Sequence, residues 1–328
     1  MNTRALGLWL FVAMVSMHLL VSAKVESNDA NRTRLIIDSD ANNEVDDQHA
    51  IAYVLLNREC FHVEGITVNK TLGGGDIRRH AEEAERVVKL CNRYPDIRVY
   101  EGATRDFEGI RHTVQQPRFD GCDAVNFIVD RAKAKSERKL VILAIGKLTN
   151  VGLALLKEPS IGSQIRLVWL GSNYPDPGEY NFENDTSVVN FVLGLGIDFE
   201  MVVVRHGKPS GTAAVKVSLD EIRTNMRGKG PRIAYKVPGR HGGEFDCFGD
   251  YSISLFEHAK EKYRPLFDLA AAAIVKDPRW ADRVVIHAPR FQNGEWIEQP
   301  GNPRHVVIWE NFDRDSIVRD LFQTMDQR

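Results

Sequence analysis

The chain has 328 residues, with 43 Lys and Arg against 45 Asp and Glu, for a net charge of -2 at pH 7. Nearly balanced charge argues against a general nucleic-acid binder, which needs a basic stripe, and leaves a small-molecule enzyme open. The length suits one large α/β domain or two small ones, and no repeat, low-complexity tract or long Pro/Gly-rich linker divides it.

Residues 1–23 read as a secretory signal peptide. Arg4 supplies a positive charge, Leu6 to Val15 is apolar, Met17 to Val21 extends the run, and Val21-Ser22-Ala23 offers small residues for cleavage. The run is shorter than the ~20 apolar residues a spanning helix needs, so no stable membrane insertion is expected once the segment is removed. Residues 24–33 form a polar lead-in, and the expected destination is secreted or periplasmic. Cys60, Cys91, Cys122 and Cys247 show no CxxC or Cys/His spacing, which speaks against zinc. Disulfides and free thiols both remain open.

Residues 34–328 form a single domain in which short apolar runs alternate with amphipathic stretches. Strands are expected at Leu35–Ile37, Val63–Val68, Leu140–Ala144, Ile165–Leu170 and Met201–Val204. Helices are expected at Asp47–Asn57, from Gly73 through Cys91, at Leu148–Leu156 and at Thr186–Leu195. This alternation predicts an α/β fold with a mostly parallel central sheet flanked by helices. Further on, helices are expected over Asp250–Lys262, Phe267–Lys276 and Asp313–Met325, with short strands at Val284–Ile286 and Val306–Ile308. Residues 205–248, rich in Gly, Lys and Arg, read as irregular chain that caps the site.

The most informative stretch runs Leu35-Ile36-Ile37-Asp38-Ser39-Asp40-Ala41-Asn42-Asn43-Glu44-Val45-Asp46-Asp47. Its acids follow an apolar strand, and sites in open parallel sheets form at the carboxyl ends of strands. Several acids in one small space repel one another unless a cation neutralises them. Oxygen ligands without Cys or His suit a hard cation such as Ca²⁺ or Mg²⁺. An EF-hand is excluded, because its sixth and twelfth positions would be Asn43 and His49 instead of Gly and Glu. An Asp-x-Asp phosphotransferase with Asp38 as nucleophile finds no other support. An acidic helix start accounts for Asp46 and Asp47 but poorly for Asp38 and Asp40.

The segment resembles the opening of the inosine-uridine nucleoside hydrolase family, and further likenesses follow in order. Gly65-Ile66-Thr67 resembles the end of that family's second strand. Ile145-Gly146-Lys147-Leu148-Thr149-Asn150 resembles its Gly-Pro-Leu-Thr-Asn turn, with Lys147 in place of proline. Leu170-Gly171 and Asn173 to Asn181 resemble its nucleoside-binding segment. Phe267-Asp268-Leu269-Ala270-Ala271-Ala272 resembles its late metal-binding helix. The likeness implies a nucleoside hydrolase-like fold that takes a small-molecule ribonucleoside and no nucleic acid; homo-oligomerisation is left open. It implies Ca²⁺ held by the side chains of Asp40, Asp47 and Asp268 and the carbonyl of Ile145, with Asp38 in support. Asp40 would also be the general base toward the attacking water. Asp46, Asn173, Glu179 and Asn181 would hold the ribose, with Asn69, Tyr180 and Phe267 lining the pocket.

The residue types fit the chemistry. Breaking an N-glycosidic bond develops positive charge on the sugar, which carboxylates and amide oxygens stabilise. Two departures from the family pattern stand out. The loop from Asp40 to Asp46 is two residues longer than usual, and Phe267 stands where pyrimidine-tolerant members carry a histidine that protonates the leaving base. The second likens the chain to the purine-preferring branch. The alternatives are hydrolysis of another N-ribosyl compound and an inactive ribose- or nucleoside-binding protein.

Overall fold

The computed structural model describes residues 32–43 and 45–326. The signal-peptide reading and nearly all of the polar lead-in lie outside them. Eight strands form the central sheet: β1 (Thr33–Ser39), β2 (Phe61–Val68), β3 (Val99–Glu101), β4 (Leu140–Ile145), β5 (Ile165–Leu170), β6 (Asp198–Val202), β7 (Asp282–His287) and β8 (His305–Glu310). Their order is β7-β8-β6-β5-β4-β1-β2-β3. All neighbours are parallel except β7 and β8. The expected single α/β domain with a mostly parallel sheet is therefore what the chain forms.

Alternation along β1 shows how the sheet is covered. Leu35 and Ile37 enter one apolar core and Ile36 the core on the opposite face. On the first face lie helices α1 (Asp46–Leu56) and α2 (Ile77–Leu90). On the other face lie α3 (Cys122–Lys133), α4 (Thr149–Lys157), α5 (Tyr180–Asn184) and α6 (Thr186–Leu193). After α7 (Leu219–Met226) and α8 (Phe248–Ala259), the first face is completed by α9 (Phe267–Lys276) and α10 (Arg314–Met325).

Two helices are unusual. Every residue of α1 is buried, and so is every residue of α9 from Asp268 to Val275. A helix that is apolar nearly all round belongs in the interior, and α1 and α9 pack against each other there. Their polar exceptions sit in the first turns: Asp46 and Asp47 on α1, Asp268 on α9. Negative charge is favoured at a helix N-terminus.

Several expectations need correction. The helix expected from Gly73 starts at Ile77, because Asp76 caps it by accepting from the Arg79 N–H at 3.0 Å. Gly73 to Gly75 instead form a loop beside Asn42 and Asn43. Gly74 has φ +77°, and a Cβ there would lie 2.9 Å from the Asn42 carbonyl, so this position favours glycine. The sixth strand is Asp198–Val202 instead of Met201–Val204. Residues 205–248 are not wholly irregular: Ser218 and Glu221 form a capping box that starts α7. Of the two states left open for the cysteines, all four are free thiols. No helix among the described residues is long and apolar enough to cross a membrane.

Candidate functional site

Strand β1 pairs with β2 on one side and β4 on the other, so the strand order reverses there. In open α/β sheets a crevice opens outside the carboxyl ends of the strands at such a point. A cavity of about 130 Å³ lies here. Asp40 enters it just past the end of β1, Ile145 from the end of β4, Leu170 from the end of β5, and Asp268 from the start of α9.

The acids form two tiers. Asp38 is completely buried behind the cavity, level with Thr67 on β2 and Ala144 on β4. Its Oδ1 accepts from Thr67 Oγ1 and Asn150 Nδ2, both at 2.7 Å, and its Oδ2 accepts from Asn69 Nδ2 at 3.2 Å. Burial nevertheless raises its pKa from 3.8 to about 6. Asn150 also donates to the Val68 carbonyl and accepts from the Ala103 N–H. Asn150 thus ties the ends of β1 and β2 together.

The front tier lines the cavity. Oxygens of Asp46, Asp47 and Asp268 lie within 4.8 Å of one another, and all three residues are buried. Burial, then the charges of Asp40 and Asp46, hold the Asp47 carboxyl well above its ordinary range. Burial and the charges of Asp46, Asp47 and Asp40 do the same to Asp268. Ser39 Oγ donates to Asp47 Oδ1 at 2.6 Å, and Thr71 Oγ1 donates to Asp40 Oδ2 at 2.6 Å. These two hydroxyls aim the carboxylates without neutralising them. A buried group of like charges with all-oxygen donors is chemically suited to a hard divalent cation. Asp46, expected at the ribose, stands in this group, while Asp40 stands beside it on the cavity wall.

The longer loop does not prevent this convergence. The Asn43 N–H closes a turn on the Asp40 carbonyl at 2.9 Å, and Asn42 Nδ2 donates to the Gly74 carbonyl at 2.5 Å. The Asn42 N–H donates to buried His80 Nδ1 at 3.3 Å. Anchoring from α2 and its preceding loop therefore holds the chain up to Asn43 and delivers the helix start at Asp46.

The opposite wall comes from the segment after β5. Glu179 caps α5, accepting from the N–H groups of Asn181 at 3.0 Å and Phe182 at 2.8 Å, and also from Ser172 at 2.9 Å. Burial outweighs these bonds and raises its pKa. Asn181 Nδ2 donates to the carbonyls of Ile145 at 3.3 Å and Leu170 at 3.2 Å. Tyr180 lines the cavity and its hydroxyl accepts from the Gly73 N–H at 2.6 Å. Phe267 completes the apolar side with Leu170 and Val204.

Two expected pocket residues are placed elsewhere. Asn69 is buried with Asp38 and does not line the cavity. Asn173 is turned away: its amide donates to the Pro177 carbonyl at 3.2 Å and its Oδ1 accepts from the His206 N–H at 2.8 Å. Four lining residues were not foreseen: Asn43, Leu170, Val204 and His206.

The sequence profile of the inosine-uridine preferring nucleoside hydrolases matches residues 35–319, nearly the whole described chain. The chain belongs to this family. Membership makes it a hydrolase acting on N-glycosyl compounds, from a family whose members depend on a metal. An uncharacterized protein of Schizosaccharomyces pombe is 24% identical over 218 residues, covering 60% of this chain and 68% of its own. A probable uridine nucleosidase of Oryza sativa subsp. japonica is 26% identical, covering 52% and 58%. In the latter case the chain spans little more than half of the relative's length. The solved purine-preferring ribonucleoside hydrolase of Gardnerella vaginalis superposes with a TM-score of 0.68 at 19% identity, over 90% of this chain and 98% of that one. At that identity the likeness speaks for the fold, including the parallel sheet that places this family member's acids.

Proposed function

We propose that this nucleoside hydrolase cleaves the N-glycosidic bond of ribonucleosides with calcium as cofactor, releasing ribose and free base, and that it favours purines. The convergence of Asp40, Asp46, Asp47 and Asp268 in one cavity carries this reading. Asp46, Asp47 and Asp268, with the Ile145 carbonyl, would hold the cation and Asp40 would border it. Calcium would grip the ribose hydroxyls and make water a better nucleophile.

Asp40 lines the cavity with one oxygen held by Thr71, so its carboxylate is placed to take a proton from water. Its carboxyl is raised toward neutrality by burial and by the charges of Glu179 and Asp38, as a general base needs. Glu179 and Asn181 keep the facing wall rigid through backbone contacts, which orients the sugar. Positive charge developing on the ribose then meets a wall of acids.

Base preference follows from the apolar side. Phe267 and Tyr180 line the cavity, and stacking of a base on an aromatic ring contributes about 0.5–1.5 kcal/mol beyond area burial. Inosine, guanosine or adenosine should therefore be hydrolysed faster than uridine, with Phe267→Ala lowering purine kcat/KM by roughly 2- to 10-fold. Free-base release from each riboside measures this, with a melting curve to check folding. Equal or better cleavage of uridine would refute the preference. Release of no base from any riboside would turn the reading to another N-ribosyl compound or to a binding protein. We further propose that the chain is exported and processed near Lys24; N-terminal sequencing of the protein recovered outside the producing cell would show an intact Met1 if this is wrong.

A further inference from the structure

The acid expected to protonate the leaving base is missing from position 267, yet the cavity does contain an imidazole. His206 lines the same wall as Phe267, the two rings meeting edge to face with centroids 6.0 Å apart. Among the described lining residues it is the one basic side chain; the other ionisable groups are the carboxylates and Tyr180. Neither ring nitrogen of His206 hydrogen-bonds to a described residue, so both remain available to a ligand.

The backbone carrying this ring is built with care. Arg205 has φ +46° and Gly207 φ +74°, so the chain passes through the left-handed region on both sides of His206. Such a conformation is unfavourable for arginine unless something holds it. Arg205 Nε donates to the Tyr174 carbonyl at 3.0 Å, Nη1 donates to Ser210 Oγ at 3.1 Å, and the guanidinium pairs with Glu310. The His206 N–H is fixed by Asn173 Oδ1, from the very segment that forms the sugar-facing wall. A loop whose sole purpose was to connect β6 to the following chain would not need this anchoring.

We infer that His206 meets the leaving base and donates its proton to it, taking the place of the histidine absent at position 267. The inference rests on the hydrolase reading above. The acids of β1, α1 and α9 occupy the sugar side, so a base extends toward the wall of Tyr180, Phe267 and His206. As the C1′–N bond breaks, its electron pair passes into the base. A proton of the His206 imidazolium moves to a base nitrogen such as purine N7, leaving a neutral imidazole. The water oxygen bonds to C1′ and gives a proton to Asp40. Ribose and neutral base leave; solvent then returns a proton to His206 and removes one from Asp40.

The experiment compares two leaving groups. Inosine needs a proton on its base, whereas p-nitrophenyl riboside releases a stabilised anion. Purified calcium-loaded protein and its His206→Ala and His206→Gln variants are assayed for kcat and KM on both, with melting curves for each. The expected result is a loss of kcat on inosine of about 10²-fold in both variants, at least tenfold greater than the loss on p-nitrophenyl riboside. Glutamine keeps a hydrogen-bond donor but cannot transfer the proton, so its failure to rescue kcat separates proton donation from simple base binding. Equal losses on the two substrates, or no loss on inosine, would overturn the role of His206 and leave the hydrolase reading intact. Cleavage of neither substrate by the unmodified protein would remove both.

Discussion

Asp40→Asn is expected to lower ribonucleoside turnover by about 10³-fold or more while the protein stays folded. Asp40 borders the three clustered acids and faces the open cavity. Asparagine keeps the side-chain shape and can still accept from Thr71 Oγ1, so the local hydrogen bond survives. It cannot take a proton from water, and removal of a general base alone costs typically 10²–10⁴-fold. It also removes a negative charge that raises the carboxyls of Asp47 and Asp268, so the fold should not suffer. Steady-state release of free base, read beside a melting curve, tests this. A variant with near-normal rate would show that the base lies elsewhere.

The parts of the fold that were legible in sequence are those with one dominant physical signal. Ile165–Leu170 and Phe267–Lys276 match the expected bounds to the residue, since an apolar run interrupted only by Arg166 and an Ala-rich interior helix each have one low-energy solution. Strand β3 was not visible: its three residues, Val99 to Glu101, are too few to show a period. Helix α3, not among the expected helices, does carry a helical pattern, with Ala124, Val125, Ile128, Val129 and Ala132 buried. The pairing of Arg290–Gln292 with Glu295–Ile297 was also missed, although Asn293-Gly294, at φ +54° and +83°, is the usual two-residue hairpin turn.

At the site, the acids could be found because carboxylates crowding the end of an apolar strand are costly without a purpose. Their supports could not. Ser39, Thr67 and Thr71 are ordinary strand or loop residues until register sets them against Asp47, Asp38 and Asp40. His206 lies in a stretch whose Gly, Lys and Arg content suggested irregular chain, and nothing local marks it as part of a cavity. Only the path of the backbone after β6, held by Arg205, brings it to Phe267. Asn173 illustrates the converse: the motif put it at the ribose, while the fold uses it to hold that backbone.

Removal of the divalent cation is expected to lower both stability and turnover, and the loss of stability should grow with pH. The carboxyls of Asp40 and Asp46 are raised from 3.8 to about 7, chiefly by burial, and Asp47 and Asp268 are also raised. A carboxyl with a raised folded-state pKa binds its proton more tightly in the folded chain. Its contribution to stability is complete below the unfolded value and is lost as pH rises through the folded one. The metal-free protein should therefore lose stability between pH ~4 and pH ~7. A bound calcium ion replaces the protons as the neutralising charge, so the loaded protein should show a flatter profile over that window. At a free concentration 100 times its dissociation constant, the ion adds about 2.7 kcal/mol. For a chain of this size that corresponds to roughly 4 °C in melting temperature. Melting curves with calcium and with chelator, taken across this pH range and paired with elemental analysis and base release, measure all three effects. A dialysed protein with no bound ion, whose melting and turnover ignore the chelator at every pH, would show that the clustered acids serve no metal.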